Sequence, residues 1–172
     1  MRVSLRQTEP TRASTAQEEQ DEVLDVVVAG AHGGAGTSTL TALLPAAWDM
    51  GSIKPLLELG RSPLRTKGRP VVLVVRNTAV AAKDATAAIG ALRDWEERVS
   101  ALAIVSDGGP ESRDATARFA LLNARVGGVV RVPHVRALRL VEDPTVVDLP
   151  GKARHALDEL RRLVGGSGER GR

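Results

Sequence analysis

Four short stretches of this chain are apolar on both of their alternating faces, and that pattern restricts its fold more than any other feature. They are Val23–Ala29, Val71–Val75, Leu102–Val105 and Val129–Val132, rich in Val and interrupted only by Asp25 and Arg131. A strand with one face in water alternates apolar and polar residues, whereas a strand covered on both faces does not. Such runs suit a parallel sheet with helices packed on either side. The stretches between them have helical chemistry. Ser38–Trp48 opens on a hydroxyl residue and continues in Leu and Ala, with Pro45 expected to kink or break it. Ala79–Val99 sets Ala, Ile and Leu at helical spacing, and Ser112–Val126 follows a Gly-Gly-Pro loop. Lys152–Val164 carries Leu157, Leu160 and Val164 on one face, with Gly165 as a cap. Strand followed by helix, repeated along the chain, predicts a three-layer α/β fold on a reduced, mostly parallel sheet of about four strands.

A chain of 172 residues with 42% hydrophobic content suits one domain with a single core. Residues 1–22 are polar and mixed in charge and read as a disordered arm ahead of an α/β domain over 23–164; Gly165–Arg172 reads as a flexible tail. The stretch Asp49–Arg69, with Pro55, Pro63 and three glycines, fits neither strand nor helix and is too long for an ordinary connection. It reads as a long basic loop, either folded over a site or disordered. With no cysteine, no leader-like N-terminal segment and no apolar run near the roughly 20 residues that span a bilayer, the expectation is a cytoplasmic protein without membrane insertion.

The net charge is only +3, and 20 of the 24 basic residues are Arg, a bias that a GC-rich genome explains. Residues 54–69 nevertheless hold Lys54, Arg61, Arg65, Lys67 and Arg69 against Glu58 alone, a segment able to steer an anion, DNA included, or simply to be solvated. Aromatic residues are limited to Trp48, Trp95 and Phe119, which argues against modules that stack bases on aromatic platforms. Trp48 and Trp95 read most simply as packing residues.

The chemistry concentrates in VVVAGAHGGAGTSTLTALL, where a glycine-rich turn follows a buried strand and precedes a helix. This is the context a phosphate cradle needs. Gly33, Gly34 and Gly36 permit positive φ, so that backbone N–H groups can converge on an anion. The candidate binding residues are Gly30, His32, Gly33, Gly34, Ala35, Gly36, Thr37, Ser38 and Thr39, with the Ser38 hydroxyl placed to reach a metal held by phosphates. His32 reads either as a phosphate donor or as an ordinary polar loop residue. The three histidines are dispersed, and no nucleophile or metal-ligand cluster stands out.

This loop resembles the deviant Walker A loop of the ParA/MinD family of P-loop ATPases. Gly33, Gly34, Gly36, Ser38 and Thr39 match its pattern, whereas Ala31 stands for its first Gly, His32 for its signature Lys and Thr37 for its Walker Lys. Val71–Thr78 resembles the strand after the family's Walker B strand. Leu102–Asp107 resembles the strand that ends in an adenine-contacting Asn, with Ser106 or Asp107 in that place. Val129–Pro133 resembles the late strand-then-Pro element near the base pocket, with His134 and Arg136 where acidic residues are usual. No counterpart of the second strand or of the Walker B strand is legible between Trp48 and Pro70. Their loss would leave Val23–Ala29 at the edge of the sheet, covered by the arm, the 49–69 loop or a partner. The AHGGAGT loop also resembles that of short actinobacterial proteins associated with conjugative elements, which implies a role in plasmid transfer or maintenance.

The resemblance implies ATP or another nucleotide with Mg²⁺ as ligand, and a homodimer or protein partner. The missing lysines and Walker B acid point away from catalysis, because phosphoryl transfer depends on cations and a positioned metal. The expected function is a non-hydrolysing binding or assembly module in DNA transfer or segregation. The alternative is a slow ATPase whose cation comes from the 49–69 loop or from a second subunit.

Overall fold

The computed structural model describes residues 25–60 and 66–166. The expected arm over 1–22 lies outside them, as do Arg61, Arg65 and the tail beyond Gly166. The described chain forms one sheet of five parallel strands, β1 (Val26–Gly30), β2 (Ala47–Ser52), β3 (Val71–Arg76), β4 (Val99–Val105) and β5 (Val129–Val132), in the order β2-β1-β3-β4-β5. Helices α1 (Thr37–Leu43), α2 (Lys54–Glu58), α3 (Ala79–Asp94), α4 (Arg113–Leu122) and α5 (Gly151–Gly165) connect and cover it. The fold is the three-layer parallel α/β arrangement that the apolar runs predict, with one strand more than expected.

Each face of the sheet has its own core. Ala29, Leu73, Val75, Leu102 and Ile104 pack with α3 and α4 around Phe119 and Leu92, while Val26, Val28, Val72, Val74, Ala101 and Ala103 pack with α1 and α5 around Leu40 and Leu160. Every residue of β1 is buried. Burying a Val side chain contributes roughly 1.5–3 kcal/mol, so the Val-rich central strands dominate the stability of the sheet.

The helix boundaries follow local chemistry. Helix α1 ends at Leu43, short of the expected Trp48, because Leu44 precedes Pro45 and takes an extended backbone, φ −106° and ψ 132°. Thr78 caps α3, its side chain accepting from the Ala81 N–H at 3.1 Å, and Ser112 caps α4 through the Ala115 N–H at 3.1 Å. Helix α3 stops at Asp94 and α4 at Leu122, both short of the predicted ends; Val99 already belongs to β4. Beyond β5 the chain makes only a 3-10 turn over Arg136–Arg139.

The main correction concerns 49–69. Far from being one long loop, its first residues complete β2, which pairs with β1 through Val26–Ala47, Val27–Trp48 and Val28–Asp49, and α2 follows. Strand β1 is therefore not at the edge; β2 is, and the covering that β1 needs comes from the segment read as a loop. Strand β2 escaped the apolar pattern because it has a neighbour on one side only and its middle residues are exposed. Its backbone ladder holds it where side-chain burial does not. Trp48, read from the sequence as a packing residue, is 56% exposed, with the Arg69 guanidinium 5.3 Å from its ring centroid. Ile53, between β2 and α2, is fully buried among Leu73 and the α3 alanines. Ile53→Ala should therefore cost about 2–5 kcal/mol in denaturant unfolding; a solvated loop at this position would leave the midpoint unchanged.

Candidate functional site

The strand order sends α1 to one face of the sheet and α3 to the other, which makes the carboxyl ends of β1 and β3 a topological switch point. Ligand sites of open α/β sheets form at such a switch point. The glycine loop leaves β1 here, and the β3–α3 turn, Arg76 to Thr78, lies beside it. Ala31 extends the ladder by donating its N–H to the Val74 carbonyl at 2.9 Å, and the Ile53 N–H bonds Gly30 from the other side at 2.9 Å. Two alanines then pin the loop: Ala31 is buried in the α3 core and Ala35 in the α1 core. Ala35, a candidate binding residue, thus gives its side chain to packing.

Positive φ occurs at Gly34 (72°) and Gly36 (99°), the latter capping α1, and not at Gly33. Gly33, Gly34 and Ser38 are exposed. No backbone N–H from His32 to Thr39 has an acceptor among the described residues, and no side chain caps α1. Backbone N–H groups left unpaired in this way remain available to water or to an anion.

At the two positions where the pattern this loop resembles carries Lys stand Thr37 and His32. Thr37 is buried, and a Cβ at Gly30 would lie 2.5 Å from its Oγ1, so the loop folds tightly back over β1. The His32 ring is engaged at both nitrogens: Nε2 accepts from the Arg76 backbone N–H at 3.2 Å, and Nδ1 lies 2.9 Å from the Gly33 carbonyl oxygen. A backbone N–H can only donate, so Nε2 is the acceptor and the Nδ1 proton bonds Gly33.

The basic segment is differently disposed from what its composition suggests. Lys54 lies near Gly30 but pairs with Asp84 of α3 at 3.1 Å. Arg69 sits at the amino end of the sheet, opposite the loop, where it pairs with Asp25 at 3.2 Å. The cation nearest the loop is Arg76, which sequence reasoning missed: its Nε donates to the Gly34 carbonyl at 2.8 Å. A charged residue ending a buried strand was the available signal, but only the β1–β3 pairing places that strand end beside the glycines.

A second opening lies at the carboxyl ends of β3, β4 and β5, a cavity of about 340 Å³ lined by Asn77, Ser106, Glu111, Arg131, Pro133 and Lys152. Glu111 bonds Arg131 across it. Burial works to raise the Glu111 carboxyl, yet hydrogen bonds from Arg131 and Thr116, the Arg131 charge and the Asn77 amide outweigh it and hold the group below its ordinary value. Asn77 Oδ1 and Glu111 Oε1 are buried here without partners among the described residues. Ser106 and Asp107 both accept from the turn that follows, through the Gly108 N–H at 3.2 Å and the Gly109 N–H at 2.9 Å.

No group of three or more His, Asp or Glu side chains could hold a metal among the described residues, and no helix among them is long and apolar enough to cross a membrane. No protein-family model matches the chain, and no curated protein matches it.

The loop geometry separates two glycines that look alike in sequence. Gly30→Ala should destabilise the fold by about 1–3 kcal/mol, because its Cβ would meet Thr37 Oγ1 and, at 3.1 Å, the His32 carbonyl oxygen. Gly33→Ala, with open space around its Cβ and no positive φ, should leave thermal unfolding within about 0.5 kcal/mol of the parent.

Proposed function

We propose that this chain is a degenerate ParA/MinD-like P-loop protein, a non-hydrolysing module for binding or assembly in plasmid or DNA transfer or segregation, with a nucleotide as a static ligand. The observation that carries the reading is the unpaired run of N–H groups from His32 to Thr39 at the switch point of the sheet. Backbone donors and positive φ at Gly34 and Gly36 suit a phosphate group. The exposed Ser38 hydroxyl suits a metal bound to that phosphate.

The same geometry argues against turnover. Thr37 is packed over Gly30, and the His32 ring is committed to Gly33 and to the Arg76 backbone N–H. Asp49, an acid on the strand beside β1, accepts from the Gly51 N–H at 2.8 Å and is exposed. Without a Walker lysine or a metal-orienting acid, the charge that develops in phosphoryl transfer goes unneutralised, at a typical cost of orders of magnitude in rate.

A protein partner or a second copy is supported by the edge strand β2, where Trp48 and Met50 are 56% and 43% exposed beside an unpaired backbone edge. A DNA role has less charge to draw on than the composition suggests, because Lys54 and Arg69 are each paired with an aspartate.

Calorimetric titration with ATP and Mg²⁺, repeated on Gly34→Asp, tests the reading. Micromolar binding that the substitution abolishes, without phosphate release, is the expected result. Phosphate release abolished by the same substitution would replace the module with a slow ATPase, and no heat at all would remove the nucleotide.

A further inference from the structure

We infer that the open edge of β2 joins a second copy of this chain, antiparallel about a two-fold axis at Trp48, so that two sheets become one. The inference deepens the reading of that edge as a protein-binding surface and rests on it alone, independently of the glycine loop. Three features select a second copy as the occupant.

The first is the set of free backbone groups. The Val26 N–H bonds the Ala46 carbonyl at 3.2 Å, and Val26 and Val28 lie beside Ala47 and Asp49 in the ladder. Successive residues of a strand turn their backbone groups to opposite sides, so Ala46, Trp48 and Met50 serve β1 while Ala47 and Asp49 aim N–H and C=O outward. Strand β2 ends the sheet on this side, and Trp48, Asp49 and Met50 are exposed. Both flanks of this short edge are closed. Pro45 has no N–H, and the ladder shifts after Asp49, where Gly51 has φ 62° and gives its N–H to Asp49 Oδ1 at 2.8 Å.

The second is register. A two-fold axis normal to the sheet sets Ala47 against the partner's Asp49 and Asp49 against the partner's Ala47, and every outward N–H then meets an outward C=O. Sliding the copies one way sets Asp49 against itself and calls on the Gly51 N–H that Asp49 already holds. Sliding them the other way calls on an N–H that Pro45 lacks. Like charges directly opposite are destabilising, so Asp49, the only acid of the strand, selects the same register as the backbone does.

The third is the side chains. The two Trp48 residues become a non-hydrogen-bonded pair with Cα atoms about 4.5 Å apart, the closest approach an antiparallel ladder offers. Each ring, 56% exposed in the single chain, gains an aromatic neighbour across the axis. Arg69, which lies against Trp48, is already paired with Asp25 at 3.2 Å, so the axis brings no uncompensated cations together.

The test is sedimentation of the full chain and of Trp48→Lys without nucleotide, from about 1 to 500 µM, with mild oxidation of Trp48→Cys and Met50→Cys at the upper end; the chain has no cysteine of its own. The interface is small, so a dimer with a dissociation constant of about 10–100 µM is expected. Trp48→Lys sets two ammonium groups face to face and should weaken it about 10-fold or more, with an unfolding temperature close to the parent because the ring is exposed. Trp48→Cys should form a covalent dimer, and Met50→Cys, which faces the partner's Ala46, should not. A parent that stays monomeric overturns the inference and leaves the edge to an extended segment of another protein. A dimer that Trp48→Lys leaves equally tight, or one that Met50→Cys cross-links and Trp48→Cys does not, overturns it by placing the contact elsewhere or in another register. None of these outcomes touches nucleotide binding, whose failure shows only in the calorimetry.

Discussion

The parallel pairing of β1 with β3 is the interaction on which the rest of this molecule depends. Val27 to Gly30 run beside Val71 to Val74, all buried, and the two flanking cores are built on their alternating side chains. Because α1 and α3 leave this pair toward opposite faces, the same ladder sets the switch point at their carboxyl ends. Stability and site therefore have one origin. The tightest packing of the glycine loop, Thr37 over Gly30, lies directly at the end of that ladder.

The glycine loop is held by packing and by its own backbone conformation. Alanines that pack into both cores and glycines in the left-handed region set its course, while Thr37 is buried and the His32 ring bonds within the protein. His32 shows this most clearly, since it fastens the loop to β3 with one ring nitrogen and to Gly33 with the other.

The strand that went unread shows where periodicity ceases to inform. Residues 47–52 contain one exposed Trp, one exposed Met, an Asp and a Gly with φ of 62°, which together spell a turn. They form a strand because β1, with its open edge and buried Val residues, needs a backbone partner, and the short connection after Pro45 delivers one. A backbone ladder leaves little trace in residue type when only one edge is bonded and the outer surface is wet. The basic cluster misled for a related reason. Charge in a sequence window says nothing of which end of a sheet it occupies, and Arg69 and Gly30 lie at opposite ends.

By itself the sequence determined the architecture: both-face apolar runs demand a parallel sheet covered twice, and a glycine turn between strand and helix marks where its loop bends. Those are local properties, written in hydrophobic period and backbone permissiveness. Only the tertiary structure decided the strand order, the shielding of β1 by β2, the inward turn of Thr37 and His32, and the arrival of Arg76 beside Gly34. Each of these depends on segments distant in sequence meeting across a sheet, where pairing is set by shared burial and hydrogen bonding rather than by any residue's own preference.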